Sequence, residues 1–429
     1  MVIVTTTADR PGVDQPEEVV RTPAELRRAR VLGIVYIVMA LGVLWFFAKG
    51  TTGDATFGLT RPQDRFSDFP DLTVPAAGSA YLVAVVLAFV GTVQLIRGFG
   101  KWTNAVLAVV LTLVLFSFLA WAAAGKSISM VGMMRGAISL GVPIALGALS
   151  GVLCERVAVI NIAIEGMLLG GAFTGALVGS LFNSWLGLVA ATLTGVLLAW
   201  ILAVFAIRYR VDQIIVGVVI NIFVLGLTGF LAFRLTERNP ELNSASVFGP
   251  IGIPLLKDIP FIGPVFFDQN LFVYAMYIFT VALTFGLFRT KWGLRSRAVG
   301  EHPKAADTLG VNVYRMRYLN VMLGGALAGF GGAFFTLGAV GRFDDNMTAG
   351  RGFIALAAMI FGRWHPVGAV SGALLFGFAD SMRIRLALVR PIPSEFLAMA
   401  PYIATIIVVA GLVGRARPPA ADGQPYIKE

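Results

Sequence analysis

The residues that could act on a polar solute are few, and they lie inside long apolar stretches of the sequence. Glu165 is the one acidic residue deep within such a stretch, and Asn161 precedes it by four residues. On a helix this spacing puts both side chains on one face. Asn221 and Asn320 interrupt other apolar stretches. Polar groups at membrane depth either line a path for a hydrophilic solute or hydrogen-bond to neighbouring helices. Both interpretations remain open for all four residues.

The sequence gives no indication of metal or nucleotide chemistry. Its two histidines, His302 and His365, and its single cysteine, Cys154, are too few for a zinc site and exclude an intrachain disulfide. Residues 125–127, Gly-Lys-Ser, resemble the end of a phosphate-binding loop, but Ala120 stands where that loop needs glycine. We therefore predict that the chain binds no metal or cofactor and is not an enzyme. Any ATP used would be hydrolysed by a separate chain.

The composition identifies the environment of the chain. Of its 429 residues 57% are hydrophobic and 14% are charged, against about 25% charged residues in a soluble domain. This excludes a soluble enzyme, a disordered chain and a nucleic-acid-binding module, and it predicts an all-α polytopic membrane protein. The formal net charge is +10. Lysine and arginine are more frequent in the segments on the same side of the membrane as the two termini, so the positive-inside rule predicts that both termini are cytoplasmic.

Twelve apolar runs could form membrane helices, because most approach the ~20 residues that cross ~30 Å of hydrocarbon. They lie at 31–48, 79–97, 103–124, 136–153, 157–182, 185–207, 213–235, 271–288, 319–339, 352–362, 367–382 and 398–414. The run at 352–362 is short, which predicts a re-entrant or broken helix. None alternates strictly between apolar and polar residues, so β-barrel strands are excluded.

These runs divide the chain into four parts. We predict a disordered cytoplasmic tail at 1–30, an additional pair of membrane helices with an outside loop at 31–102, a core at 103–414 and a cytoplasmic tail at 415–429. A second outside loop, 236–270, is polar and rich in proline. It is long enough to dock a partner outside the membrane.

The loop 289–318 is the most informative about partners. It is strongly basic and lies between two apolar runs on the predicted cytoplasmic side. Pro303 suits the first turn of a helix and Gly310 suits its end, and residues 312–317 predict a second short helix. Such a hairpin could fit a groove on a soluble protein. A solvated basic loop is the alternative.

Three segments carry a resemblance to a known family. They are LGALSGVLCERVAVINIAIEGMLLGGAFTGALVG at 146–179, RSRAVGEHPKAADTLGVNVYRMRYLNVMLGGALAGFGGAFFTLG at 295–338 and GRGFIALAAMIFGRWHPVGAVSGALLFGFAD at 350–380. Together they resemble permeases of bacterial ABC importers in the branched-chain amino acid and ribose class, more narrowly the nucleoside (simple-sugar-annotated) subgroup. Asn161, Glu165 and Gly166 match the signature, whereas Cys154 and residues 157–158 replace its small polar and glycine residues.

The resemblance implies a type II ABC importer permease fold. Its ten-helix core carries a cytoplasmic coupling loop between the sixth and seventh helices, and counting from residue 103 places 289–318 there. The residues that match coupling positions are Gly300, Glu301, Pro303, Ala305, Ala306, Asp307, Gly310 and Val311. The first two predicted helices are additional to this core.

The resemblance also implies the partners and the function. A second permease, giving a heterodimer, a cytoplasmic ABC ATPase, an extracytoplasmic substrate-binding (lipo)protein and membrane lipids are expected, and nucleic acid is not. We expect a permease subunit in the bacterial cytoplasmic (inner) membrane that forms the path for a nucleoside. A monosaccharide or a branched-chain amino acid is the alternative solute. An ion-coupled secondary transporter is the alternative class, which the scarcity of acidic residues at membrane depth disfavours.

Overall fold

The computed structural model describes residues 23–64, 69–236, 238–389, 399 and 417–428. Among these residues, ten helices are long and apolar enough to cross a membrane. They confirm ten of the predicted runs and the all-α fold class. An eleventh run forms a shorter apolar helix. The predicted run at 398–414 lies outside the described residues except for residue 399, as does most of the predicted tail at 1–30.

The first compact unit comprises Met1–Gly53 and Pro75–Trp121. It contains α1 (Pro23–Gly42, continued by a π-helix Val43–Ala48), α2 (Ala76–Ile96) and α3 (Thr103–Ala122). A Cβ atom on Gly91 of α2 would lie 2.8 Å from Cγ1 of Ile37, so α1 and α2 pack closely. The ring of Phe47 lies 5.7 Å from that of Phe118 and 5.6 Å from that of Trp121. These rings join α3 to this unit, whereas the sequence analysis had counted α3 with the core.

The second compact unit comprises Asp54–Val74 and Ala122–Glu429. Its strands are β1 (Asp54–Gly58), β2 (Leu72–Pro75), β3 (Ser127–Ser129), β4 (Ile251–Gly252) and β5 (Asp268–Gln269). Its first helices are α4 (Met130–Glu155), α5 (Ile164–Leu181), α6 (Ser184–Ala203), α7 (Gln213–Leu231) and α8 (Ile262–Phe266). The later ones are α9 (Leu271–Arg289), α10 (Lys291–Glu301), α11 (Pro303–Thr308), α12 (Val313–Phe335), α13 (Arg351–Phe361) and α14 (Pro366–Val389). π-helical turns extend α6 to Arg208, α7 to Thr236 and α12 to Val340.

Small residues let the helices of the second unit approach one another closely. A Cβ atom on Gly329 of α12 would lie 2.9 Å from Cα of Gly195 in α6. One on Gly171 of α5 would lie 2.5 Å from the carbonyl oxygen of Gly329. Close backbone approach at small residues is a main source of helix association in lipid. The core of this unit therefore lies along α4, α5 and α12, whose inward faces are buried.

The structure corrects two local predictions. The predicted helix from residue 157 begins only at Ile164, because residues 156–163 form a turn in which Ala158 has φ +61°. Asn161 therefore does not share a helical face with Glu165. The separate short helix predicted at 312–317 is also wrong, since these residues open the long helix α12. The short run predicted at 352–362 forms α13, whose 11 residues extend about 16 Å; whether it is re-entrant or part of a broken helix stays a prediction.

The contact between α6 and α12 generates a stability prediction. Substituting Gly329→Ala places a methyl group against the backbone of α6, and overpacking of this kind costs about 1–3 kcal/mol. We expect a lower midpoint of thermal unfolding in detergent. Gly226→Ala is the matched control, because nothing lies within 4 Å of its added Cβ. Equal midpoints for the two variants would contradict close packing at Gly329.

Candidate functional site

The helical hairpin formed by α10 and α11 follows the membrane helix α9. Thr290 caps the start of α10, since its hydroxyl accepts a hydrogen bond from the amide of Gly293 at 3.2 Å. His302 caps the start of α11 in the same way, since its Nδ1 accepts a hydrogen bond from the amide of Ala305 at 3.2 Å. Gly310 ends the hairpin with φ +80°, a conformation that glycine adopts without strain. The helix predicted between Pro303 and Gly310 is thus present.

The coupling positions fall into two sets by their exposure. Gly300 and Ala306 are buried, and a Cβ atom on Gly300 would lie 2.5 Å from the carbonyl oxygen of Arg156. These residues seat the hairpin against the bundle. The positions Glu301, Pro303, Ala305, Asp307, Gly310 and Val311 are exposed or half-buried. Leu309, which the sequence analysis did not single out, is 84% exposed at the tip of the hairpin. An exposed leucine between Asp307 and a turn glycine is the signal that could have found it.

Cationic and aromatic side chains fix the base of the hairpin. The guanidinium groups of Arg156 and Arg297 lie 5.5 Å and 5.0 Å from the ring centroid of Phe288, and His365 stacks on that ring at 4.7 Å. Burial and the nearby charge of Arg297 lower the pKa of Arg156. Burial and the charge of Arg156 lower the pKa of His365. The two cation–π contacts join α9 to α10 and to the turn after α4, and the ring stacking joins α9 to the turn before α14.

Glu165 caps a helix from another part of the chain. It is 9% exposed. One carboxylate oxygen accepts hydrogen bonds from the hydroxyl of Thr348 at 2.6 Å and the amide of Gly350 at 2.8 Å. The other accepts from the amide of Gly352 at 2.6 Å. A carboxylate at a helix N-terminus satisfies its free amide groups and complements its dipole. Glu165 therefore anchors the start of α13 to α5.

Asn221 caps the start of α5 in a similar way. Its side-chain oxygen accepts from the amide of Gly166 at 2.7 Å, and its nitrogen donates to the carbonyl of Ile162 at 2.9 Å. Gln213, also on α7, accepts from the amide of Ile160 at 2.7 Å. Gln213 was not predicted from the sequence, because it lies at the first position of an apolar helix. The two amides of α7 thus hold the turn that leads into α5.

The other two predicted path residues are fully buried. Asn161 directs its side-chain nitrogen toward the sulfur atoms of Cys154 and Met167, at 3.5 and 3.7 Å. The side-chain nitrogen of Asn320 donates to the carbonyl of Met316 at 2.8 Å and to the hydroxyl of Ser296 on α10 at 3.3 Å. The structure therefore gathers Asn161, Glu165 and Asn221 around the start of α5 and places Asn320 beside the hairpin. All four join parts of the protein; their role in a solute path stays a prediction.

The carboxyl-terminal segment, residues 417–428, lies against the hairpin. Its residue Asp422 lies beside the carboxyl group of Glu155, which accepts a hydrogen bond from the indole N–H of Trp364. Burial raises the pKa of Asp422, although the neighbouring Glu155, the amide of Gly423 and the charge of Arg317 act against this. The sequence predicts only a polar tail here and none of these contacts.

An ionic cluster lies at the opposite end of α4. Asp268 pairs with Arg61 at 2.9 Å and with Arg135 at 3.0 Å, and Arg61 also pairs with Asp64 at 2.7 Å. Partial burial raises the pKa of Asp268, but the two guanidinium groups outweigh this effect and lower it overall. The cluster joins the loop after β1 to the loop before α9, which are the two loops predicted outside the membrane.

The cap formed by Glu165 can be tested with Glu165→Gln. The substitution replaces one accepting oxygen by an NH₂ group that faces an amide donor, and an unsatisfied buried group costs about 1–3 kcal/mol. We expect a lower unfolding midpoint in detergent, with Glu241→Gln, an exposed residue, as the control. A variant that keeps the wild-type midpoint yet loses solute uptake would instead assign Glu165 to the solute path.

Comparison with known proteins agrees with this arrangement. Residues 133–412 match the family described as branched-chain amino acid transport system / permease component. The guanosine ABC transporter permease protein NupQ of Bacillus subtilis (strain 168) is 44% identical over 67% of this chain and 93% of its own. The nucleoside ABC transporter permease protein NupC of Lactococcus lactis subsp. cremoris (strain MG1363) is 40% identical over the same shares. No solved structure matches the chain.

A more distant relative comes from the same Bacillus subtilis strain. The guanosine ABC transporter permease protein NupP is 25% identical over 62% of this chain and 78% of its own. The matched family residues cover more than half of the chain and contain α5 to α14 together with the hairpin. The fold and the family expected from the three sequence segments are thereby confirmed. This chain is a multi-pass membrane protein that belongs to the branched-chain amino acid transport system permease family, and it is a permease of an ABC importer.

Proposed function

We propose that this chain forms, with a second permease, the membrane path for a nucleoside. One observation carries the proposal: the relatives at 44% and 40% identity, each covered over 93% of its length, are named as guanosine and nucleoside ABC transporter permeases. A monosaccharide and a branched-chain amino acid remain the alternative solutes.

The chain couples to a separate ATPase and uses no cofactor of its own. Its hairpin presents an exposed face with Glu301, Ala305 and Leu309, while Gly300 and Ala306 hold its inner face against the bundle. A rigidly seated helix pair with an exposed apolar tip suits docking into a groove of a soluble protein. ATP hydrolysis and its catalytic residues belong to that partner.

The second permease is a different chain in this proposal. Two permease proteins named for guanosine occur in one Bacillus subtilis strain, and both are similar to this chain, at 44% and 25% identity. Because these two relatives from one strain differ this much in their identity to this chain, they are two distinct permeases, which supports a heterodimer. The basic hairpin supports an orientation with both termini in the cytoplasm, as the positive-inside rule requires. The ionic cluster around Asp268 then faces a substrate-binding (lipo)protein outside the inner membrane.

Uptake measurements test the solute. The gene is deleted, and uptake of labelled guanosine, inosine, ribose and leucine is measured before and after complementation. We expect loss of guanosine and inosine uptake alone. Loss of ribose or leucine uptake alone would favour the alternative solutes. Uptake by the purified chain in liposomes under a proton or sodium gradient, without nucleotide or partners, would contradict an ATP-driven importer.

Leu309 tests the docking face of the hairpin. Leu309→Ser removes the exposed apolar tip, and full burial of a leucine is worth about 1.5–3 kcal/mol, so the affinity for the ATPase should fall about tenfold or more. Leu255→Ser is the control, since Leu255 is 82% exposed in the loop predicted outside the membrane. The measurement is retention of the ATPase on the solubilised chain.

Leu309 is a sharper test than charge reversal at Glu301 or Asp307. Both carboxylates also contact the carboxyl-terminal segment of the same chain, so Glu301→Lys or Asp307→Lys changes two contacts at once. Equal retention of the ATPase by the Leu309 and Leu255 variants would show that the hairpin tip is not the docking point.

A further inference from the structure

The carboxyl-terminal segment contacts the hairpin at three places. The amide of Ala421 donates to the carbonyl of Gly300 at 3.0 Å. The amide of Ala420 donates to a carboxylate oxygen of Glu301 at 3.3 Å, and Lys428 lies 3.8 Å from the carboxylate of Asp307. Gly300, Glu301 and Asp307 are all residues that match coupling positions.

The same segment also contacts the membrane helices beneath the hairpin. Tyr426 is 5% exposed, its ring lies 5.4 Å from that of Tyr314 on α12, and its carbonyl accepts from the hydroxyl of Tyr314 at 3.4 Å. The carbonyl of Gln424 accepts from the guanidinium of Arg317 at 3.2 Å. Arg317 is fully buried, and this segment supplies an acceptor for its charge. A buried guanidinium without acceptors is costly.

A third set of contacts reaches the junction of α4 and α5. Asp422 lies beside Glu155 at the end of α4. A Cβ atom on Gly423 would lie 2.8 Å from Cδ1 of Ile160, in the turn before α5. The segment therefore contacts the hairpin, the end of α4, the start of α12 and the turn before α5. It lies after residue 412, where the family match ends.

We propose that the carboxyl-terminal segment is a clasp that holds the hairpin in its ATPase-binding position and joins it to α4 and α12. Without the clasp, the hairpin loses its contacts at Gly300, Glu301 and Asp307 and becomes mobile. A mobile hairpin must be ordered when the ATPase binds, which weakens the complex. This inference rests on the proposed docking of an ATPase at the hairpin, and it does not depend on the identity of the solute.

Three variants of neighbouring residues test the clasp. Tyr426→Ala removes the buried ring, Tyr426→Phe keeps it, and Ile427→Ala changes an adjacent side chain that is 53% exposed. The complex is solubilised from its host in mild detergent, and the amount of ATP-binding subunit retained on each variant is measured across a range of salt concentrations. We expect Tyr426→Ala to lower the affinity about fivefold or more, with the other two variants equal to wild type.

Hydrogen exchange separates the clasp from a general loss of stability. With Tyr426→Ala, amides of α10 and α11 should exchange faster, while those of α4, α5 and α12 keep wild-type protection. Equal ATPase retention by Tyr426→Ala and wild type would overturn the clasp. So would reduced retention with unchanged exchange in the hairpin, because the segment would then bind the ATPase directly. A wild-type chain that retains no ATP-binding subunit would overturn the docking proposal itself and the clasp with it.

Discussion

Two helices of this permease, α5 and α13, begin among buried or half-buried residues, and their first turns leave amide groups without a partner in the helix. Each therefore needs a hydrogen-bond acceptor from elsewhere in the chain. Glu165 supplies a carboxylate to α13, and Asn221 supplies an amide oxygen to α5. Because Glu165 itself lies in the first turn of α5, the two caps connect α5, α7 and α13. The half-length helix α13 is held in place by this arrangement.

Close packing of helix backbones is a second constraint, and α12 makes such contacts with its neighbours along its length. In its middle, Gly329 lets α5 and α6 approach the helix axis. At its beginning, Asn320 bonds to Ser296 of α10, and Asn312 caps the first turn through the amide of Arg315. One continuous helix therefore contacts the hairpin at its beginning and the centre of the bundle in its middle. Rigid secondary elements of this kind can carry coupling between distant sites.

The hairpin is built from residues close in sequence, but its support comes from distant ones. Arg156 and Trp364 lie at its base, where the Nε of Arg156 donates a hydrogen bond to the carbonyl of Trp364 at 2.9 Å. The carboxyl-terminal segment contacts the hairpin at Gly300 and Glu301. The family match at 133–412 contains the hairpin, while α1 to α3 precede it and the carboxyl-terminal segment follows it. The parts outside the match are therefore where this chain adds to the family's core.

The sequence by itself determined the membrane class, the order of the apolar helices, the hairpin and the family, because composition, run length and short motifs are local properties. It could not show that Asn161 lies in a turn, since Gln213 and Asn221, which hold that turn, come from α7, more than 50 residues later. It also could not show that Glu165 caps α13, because its partners follow more than 180 residues later. The placement of Tyr426 under the hairpin was decided by tertiary packing alone, since a polar tail has no periodicity that reports its contacts.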